Sequence, residues 1–168
     1  SPDQIEYTMN HAQADVVIIN ADFLPLLASI RDRLKTVKKI VAFTDAPEMP
    51  QTDITIDAEY ERMLAEASPE HNFPDLDENT KATTFYTTGT TGLPKGVFFT
   101  HRQIVLHTMS VCITVSCHDT PLRFSTSDVY MPITPMFHVH AWGFPYIATM
   151  MGIKQVYPGK YEPEMLIK

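Results

Sequence analysis

The sequence predicts an α/β fold with a parallel-dominated sheet and helices on both faces. A short β-branched run at residues 16–19 and an apolar run at residues 40–43 are typical of parallel strands buried on both faces. Helical patterns alternate with these runs over residues 1–67, and this alternation is typical of βαβ units. A chain of 168 residues that is 44% hydrophobic and 20% charged can bury a core, so disorder is excluded as the dominant state.

The first half is expected to contain three helices. Ser1 as N-cap, with proline next, predicts a helix that ends near His11. The helix predicted over residues 23–34 carries one apolar stripe, made of Leu24, Leu27, Ile30 and Leu34. A short strand over residues 54–56 and a helix over residues 58–67 complete this half.

The polar segment 68–81, which contains prolines and several acids, is predicted to be an exposed connector. We therefore divide the chain into 1–67, 68–81 and 82–168. After the connector, two strand-like runs flank a loop that is rich in threonine and glycine. The remaining predicted elements are, in order, a helix over 102–116, a strand over 128–131, a helix over 141–151 that ends at Gly152, and a strand over 154–157.

Charge and cysteine content restrict the class of protein. The chain has 13 Lys and Arg against 20 Asp and Glu, a net charge of −7, which disfavours binding to nucleic acid or to an anionic membrane surface. No apolar run approaches the ~18–20 residues that a membrane span needs. Two cysteines, Cys112 and Cys117, favour a reducing, cytoplasmic compartment. Because the chain lacks a first Met and ends where a helix is predicted to begin, we expect a piece of a larger protein.

The loop at residues 87–96 has the composition of a phosphate site. It holds four threonines, three glycines and one lysine, Lys95. Glycine allows successive backbone amides to point into one concavity, threonine adds hydroxyl donors and lysine adds a cation. The loop is not a Walker A motif, because Pro94 precedes the lysine, Gly96 follows it and the chain then enters a strand. The alternative interpretation is a plain hairpin turn.

A second segment, residues 135–146, places aromatic and small residues around His138 and His140. If the segment is extended, the two imidazoles point to opposite faces and make no obvious metal pair. Adding the two cysteines and His118 gives no recognisable zinc spacing. A histidine in such surroundings is more often a hydrogen-bonded core residue than a functional one.

The loop, followed by Thr-His-Arg at residues 100–102, resembles the signature loop of the adenylate-forming superfamily, which includes acyl-CoA synthetases and luciferases. The resemblance implies that the loop wraps the β- and γ-phosphates of ATP and that Thr87 helps to hold Mg²⁺. The phosphate-binding residues would then be Thr87, Thr88, Gly89, Thr90, Thr91, Gly92, Lys95 and Gly96.

The segment at 135–146 resembles the next motif of the same superfamily. The resemblance implies that His138 lies beside the substrate carboxylate and the α-phosphate. The form Phe-His-Val-x-Ala-Trp is most similar to long-chain-type fatty-acyl-CoA ligases, in which the residue matching Trp142 gates the acyl tunnel. His140 departs from that pattern, in which asparagine is expected. The chain would then be part of the large N-terminal domain of an adenylate-forming enzyme.

The implied reaction has two steps. A fatty carboxylate attacks the α-phosphorus of ATP to give acyl-AMP, and the thiol of CoA then displaces AMP. Catalysis by Lys95 and His138 would consist of positioning and neutralisation of charge. The motifs for the ribose, a second Mg²⁺ ligand and the C-terminal catalytic lysine are missing from these 168 residues, so we expect the isolated chain to be inactive. The full-length protein is expected to be a homodimer.

Three alternatives stay open. The enzyme could be another adenylate-forming ligase, such as an aryl-CoA ligase or a fatty-acyl-AMP ligase. The chain could instead be a non-catalytic module for nucleotide binding or oligomerisation. Lys95 could also be an ordinary surface lysine.

Overall fold

The computed structural model describes residues 1–87, 92–121, 123–159 and 161–166. The chain divides into two compact units. The first unit comprises residues 1–75 and 86–96, and the second comprises residues 76–85 and 97–168. The division at residues 68–81 that the sequence suggests stays a prediction.

The first unit is built around a three-stranded parallel sheet. The strands are β1 (Val16–Asn20), β2 (Lys39–Phe43) and β3 (Ala58–Glu59), in that order across the sheet. Its helices are α1 (Pro2–His11), α2 (Leu24–Ile30) and α3 (Tyr60–Glu66), and short 3₁₀ turns at Ala21–Phe23 and Arg31–Arg33 flank α2. The α/β class and the parallel sheet are therefore confirmed.

The N-terminal helix begins where the sequence predicts. The Ser1 hydroxyl accepts a hydrogen bond from the Gln4 amide at 3.4 Å, and the Gln4 side chain accepts one from the Ser1 amino group at 3.2 Å. This reciprocal capping satisfies donors that would otherwise be unpaired at a helix start.

The core of the first unit lies between α2 and one face of the sheet. Val17 of β1 and Ile40 of β2 are register partners on that face, and both are buried. The predicted stripe packs there and is confirmed, since all four of its residues are buried, namely Leu24, Leu27, Ile30 and Leu34. The single helix predicted over 23–34 is interrupted, because its ends tighten into 3₁₀ turns.

The opposite face of the sheet corrects one expectation. On β2, residues 40–42 are buried on both faces as predicted. On β1, Val16 is 50% exposed and Ile18 is 60% exposed, so burial on both faces is wrong for this strand. The reason is that β1 is an edge strand whose second face is covered by no helix of the described residues, whereas α3 covers part of β2, with the Tyr60 ring 6.2 Å from that of Phe43.

The strand predicted at 54–56 is also wrong. Ile54 and Ile56 pack against the core without strand pairing, and the pairing occurs at Ala58–Glu59 instead. The Glu59 carboxylate accepts hydrogen bonds from the amides of Glu61 and Arg62 at 3.0 and 2.7 Å. Because this side chain is the N-cap, the helix predicted from residue 58 begins at residue 60.

The second unit contains most of the remaining elements. Strands β4 (Lys81–Thr87) and β5 (Lys95–Thr100) pair with each other, and each contributes residues to both units. Helix α4 spans His101–Ser116, close to the prediction, and the side chains of Thr100 and Gln103 cap it reciprocally. The other elements are β6 (Val129–Tyr130), a 3₁₀ segment at Val139–Gly143, α5 (Phe144–Met151), β7 (Lys154–Gln155) and a 3₁₀ turn at Pro163–Leu166.

The C-terminal elements are shorter than predicted. Strands β6 and β7 pair in parallel over two residues each. Helix α5 ends at Gly152 as predicted, and the φ of +68° makes this glycine a left-handed cap. It begins at Phe144 rather than residue 141, because residues 139–143 have left-handed backbone angles. Among the described residues, no helix is both long and apolar enough to cross a membrane.

Candidate functional site

The ends of the predicted phosphate loop are formed by paired strands. Thr87 is the last residue of β4 and Lys95 is the first residue of β5, and both side chains are exposed. Gly92 has a φ of +105°, which an L side chain rarely adopts. The strand–loop–strand arrangement is therefore confirmed at its ends, while four predicted site residues lie outside the described residues: Thr88, Gly89, Thr90 and Thr91.

Tyr86, just before the loop, is held from two sides. Its hydroxyl is 2.7 Å from Nδ1 of His11 at the end of α1. A Cβ added to Gly96 would come within 3.3 Å of the Tyr86 ring, so glycine allows the backbone at the end of the loop to lie against that ring. The His11 ring also stacks on Tyr7, with centroids 5.4 Å apart. These contacts hold Tyr86, where the chain enters the loop, close to Gly96, where the loop ends.

The environment of Tyr86 keeps its phenol neutral. Burial raises the pKa of Tyr86, and the nearby Tyr7 adds to the rise. A neutral phenol retains its proton for the hydrogen bond with His11.

The exposed groups at the ends of the loop suit phosphate chemistry. Lys95 offers a mobile ammonium group with three donors. The Thr87 hydroxyl is a hard oxygen donor, and it fits Mg²⁺ as one ligand among several, since Mg²⁺ usually keeps waters and takes phosphate oxygens. No group of three or more His, Cys, Asp or Glu residues that could hold a metal occurs among the residues that the structure describes.

In the second unit, His138 lies in an exposed segment. Its backbone amide donates to the carbonyl of Pro135 at 2.9 Å, and the neighbouring Phe137 is 82% exposed. His138 and His140 do not sit in an extended strand. His138 has a φ of −91°, whereas His140 lies in the left-handed region with a φ of +52°.

Residues 139–143 form a left-handed turn. The φ angles of Val139, His140, Ala141 and Trp142 lie between 50° and 59°, and that of Gly143 is 78°. Left-handed backbone costs an L residue about 1–2 kcal/mol, and it is least expected for a β-branched residue such as valine. Such a turn persists only where surrounding contacts determine it.

Two histidines supply contacts of this kind. Nε2 of His140 and Oγ1 of Thr83 on β4 share a hydrogen bond of 2.7 Å. Nε2 of His107 on α4 donates to the carbonyl oxygen of Trp142 at 3.3 Å. A Cβ on Gly143 would approach His107 Nε2 to 2.8 Å, so a larger residue where the turn passes this helix would displace the His107 ring.

The turn borders a cavity of about 120 Å³ that is predominantly apolar. Helix α4 forms one wall and the turn forms another. Trp142 is one of the residues that line the cavity, and it is 62% exposed. The residues that line the cavity include Phe99, Ile104, His107, His140, Trp142 and Tyr146. The arrangement suits an apolar ligand bounded by aromatic side chains.

Sequence reasoning did not assign roles to several residues at these sites. His107 and Thr83 lie in ordinary helical and strand patterns, and their partners are far away in sequence. The general expectation that a histidine of this segment is a hydrogen-bonded core residue fits His140, which is half-buried and hydrogen-bonded, but not His138, which is exposed. The one available signal was Gly143, since glycine adopts left-handed backbone more readily than any other residue.

The sequences of two relatives align with 94% and 100% of this chain. It is 41% identical over 157 residues to a medium-chain-fatty-acid–CoA ligase of Ectopseudomonas oleovorans, covering 94% of this chain and 28% of the relative. It is 40% identical over 169 residues to a long-chain-fatty-acid–CoA ligase of Thermus thermophilus, covering 100% of this chain and 29% of the relative. The chain therefore spans less than a third of the length of these relatives.

Solved structures share the fold at lower identity. A putative long-chain-fatty-acid CoA ligase from Rhodopseudomonas palustris aligns with a TM-score of 0.75 at 19% identity, over 99% of this chain and 38% of that one. A red-emitting luciferase from Phrixothrix hirtus also gives a TM-score of 0.75, at 21% identity, over 99% of this chain and 31% of the luciferase. The family described as AMP-binding enzyme matches residues 1–168, and this chain belongs to it.

Proposed function

We propose that this chain supplies the phosphate loop and part of the acyl site of an ATP-dependent acyl-CoA ligase, which acts on medium- or long-chain fatty acids. The observation that carries the proposal is the apolar cavity beside Trp142. It belongs to a chain that is 40–41% identical to relatives described as fatty-acid–CoA ligases. An apolar cavity bounded by aromatic rings favours an alkyl chain over a charged or strongly polar acid.

The loop would bind the polyphosphate of ATP. A carboxylate must approach a highly charged anion, so the chief requirement is neutralisation of charge rather than a general base. Lys95, exposed at the start of β5, is suited to pair with phosphate oxygens, together with the loop amides and threonines. Thr87 would contribute one oxygen ligand to Mg²⁺, which supplies further neutralisation of the phosphates when it is bound.

His138 would orient the reacting groups. Its exposed imidazole can donate to a carboxylate or to an α-phosphate oxygen, and it is four residues before Trp142. In the first step the carboxylate oxygen bonds to the α-phosphorus and pyrophosphate leaves. In the second step the CoA sulfur bonds to the acyl carbon and AMP leaves. ATP, CoA and the fatty acid are all substrates.

A chimera tests the proposal. The matching segment of the Thermus thermophilus relative is replaced by residues 1–168 of this chain, and acid-dependent ATP–pyrophosphate exchange and acyl-CoA formation are measured. We expect activity with saturated fatty acids. Activity with aryl acids alone would favour an aryl-CoA ligase, and acyl-AMP without acyl-CoA would favour an AMP ligase. A folded chimera with no activity towards any acid would contradict the proposal.

The role of Lys95 is tested in the same chimera. Loss of one charge-assisted contact to phosphate, by Lys95→Met, should raise the KM for ATP about 10–100-fold. Lys39→Met removes an exposed lysine from β2 and serves as the control, with no expected change. Equal KM values for the two variants would identify Lys95 as an ordinary surface lysine.

Further parts of the proposal concern the protein as a whole. We propose that the isolated 168 residues lack ligase activity, that the full-length enzyme is a homodimer and that it works in the cytoplasm. The free thiols of Cys112 and Cys117 support a reducing compartment. Measurable ATP–pyrophosphate exchange by the purified chain would contradict the first point, and a monomer by sedimentation of the full-length enzyme would contradict the second.

A further inference from the structure

We propose that Thr83 is a positioning residue for Trp142: through its hydrogen bond to His140, it holds the left-handed turn that sets the indole at the cavity and thereby tunes which acyl chains are accepted. The part of the proposal that concerns acyl chains rests on the proposed function. The part that concerns the indole does not.

The geometry gives His140 few alternatives. Its ring lies edge-on to Phe85, with centroids 5.0 Å apart, and 6.5 Å from the ring of Phe99. The imidazole is near both phenyl rings, and its polar contact is the hydrogen bond of 2.7 Å to the Thr83 hydroxyl. A hydrogen bond in apolar surroundings is stronger than one in water, and losing its partner is correspondingly costly.

The turn that His140 anchors is under backbone strain. Four successive residues other than glycine, 139–142, have φ between 50° and 59°. His140 and Trp142 are both members of this run, two residues apart, so a change at the first is transmitted directly to the second. The second anchor, from His107 to the Trp142 carbonyl, is longer at 3.3 Å. The Thr83 bond is therefore the shorter of the two histidine contacts that oppose relaxation of the turn.

Thr83 itself is not part of the cavity wall, whereas His140 and Trp142 both are. His140 is the lining residue to which Thr83 is hydrogen-bonded, so a change at Thr83 acts on the cavity through that imidazole. This separation makes Thr83 a suitable point for a test, because the chemistry of the lining residues stays unchanged.

The chain carries its own reporter, since Trp142 is its single tryptophan. The first measurement is the fluorescence anisotropy and near-ultraviolet circular dichroism of the 168-residue chain. Thr83→Val removes the hydroxyl at nearly constant volume, and Thr83→Ser retains it. Loss of one hydrogen bond should shift the equilibrium towards a relaxed turn about fivefold. We expect lower Trp142 anisotropy in Thr83→Val, parental values in Thr83→Ser, and parental values in the control Thr84→Val on the same strand.

The second measurement is the ratio of kcat/KM for medium-chain over long-chain saturated acids in the chimera. We expect Thr83→Val to change this ratio about fivefold, through KM for the acid and not through KM for ATP. Thr83→Ser should restore the parental ratio.

The outcomes separate the proposal from the proposed function. Identical Trp142 signals in Thr83→Val and the parent would overturn the proposal, and so would a changed signal that Thr83→Ser does not restore. A changed Trp142 signal with an unchanged acid ratio would overturn its acyl part. A chimera that is inactive with every acid would contradict the proposed function, while the Trp142 comparison would still decide the role of Thr83. If Thr83→Val lacks a cooperative urea transition, Thr83→Ala takes its place in the same comparisons.

Discussion

The phenol oxygen of Tyr86 lies 2.7 Å from Nδ1 of His11, although the two residues are 75 positions apart in the sequence. This contact joins the C-terminal end of α1 to the strand that leads into the threonine- and glycine-rich loop. The position of the loop entry therefore depends on an element at the start of the chain. A helix that contributes no predicted phosphate ligand still contacts the strand that leads into the candidate loop.

Tyr86→Phe should weaken the fold of the first unit modestly. The variant keeps the ring that lies against Gly96 and removes only the hydroxyl, so the free energy of unfolding should fall by about 1 kcal/mol. Urea denaturation with an unchanged m value would measure this loss. Tyr7→Phe is the matched control, because the ring stacked on His11 is retained, and its effect should stay within about 0.5 kcal/mol. A loss in the control as large as that in Tyr86→Phe would contradict the role of the Tyr86 hydroxyl.

Alkaline pH should destabilise the protein through two phenols. Burial is the main cause that raises the pKa of both Tyr86 and Tyr130, with smaller contributions from Tyr7 and Tyr157 respectively. Because the folded pKa exceeds the unfolded value, the folded state holds these protons more tightly. The resulting stabilisation is fully present below about pH 10 and is lost as the pH rises through the folded pKa values.

The measurement is the free energy of unfolding in urea between about pH 8 and about pH 11, around the ordinary tyrosine pKa. The double variant Tyr86→Phe and Tyr130→Phe should lose less stability over this interval than the parent. Equal losses in the two proteins would show that these phenols do not share in the alkaline transition.

Much of the fold could be predicted from local pattern. The cap at Ser1, the stripe on α2 and the glycine that ends α5 were predictable because each depends on residues that are near in sequence. The exposure of one face of β1 was not predictable, because it depends on which elements cover that face of the sheet. Val16 and Ile18 have the composition of a buried strand but lie on an uncovered face of an edge strand.

The candidate site was predictable only in part. The loop ends at Thr87 and Lys95 follow from composition and from the motif that they resemble. The turn at residues 139–143 does not, since nothing in a run of valine, histidine, alanine and tryptophan favours left-handed backbone. It depends on contacts from Thr83 and His107, and such long-range pairs leave no periodic signal in one sequence.

Truncating two apolar residues of the first unit should lower the free energy of unfolding by very different amounts. Leu27 is 2% exposed in the core, so Leu27→Ala should cost about 2–5 kcal/mol through lost burial and a residual cavity. Ile18 is 60% exposed, so Ile18→Ala should cost less than about 1 kcal/mol. Urea denaturation of both variants measures the difference. A cost for Ile18→Ala in the range expected for Leu27→Ala would mean that the second face of β1 is covered in solution.

One glycine lies at each end of α5, and substituting each of them should separate two costs to the free energy of unfolding. The first is the cost of left-handed backbone and the second is the cost of crowding. Gly152, with a φ of +68°, has nothing within 4 Å of an added Cβ, so Gly152→Ala should cost only the backbone penalty of about 1–2 kcal/mol. Gly143, with a φ of +78°, would also bring its Cβ to 2.8 Å from His107 Nε2, and displacement of that ring should add about 1–3 kcal/mol.

The two variants are compared by urea denaturation and by Trp142 fluorescence. Gly143→Ala should be the less stable and should alter the Trp142 signal, because His107 must leave the Trp142 carbonyl to make room. Gly152→Ala should leave that signal unchanged, since its Cβ meets open space at the other end of the helix. Equal stabilities for the two variants would mean that His107 does not pack against the turn. An unchanged Trp142 signal in Gly143→Ala would show that strain at residue 143 does not affect the position of the indole.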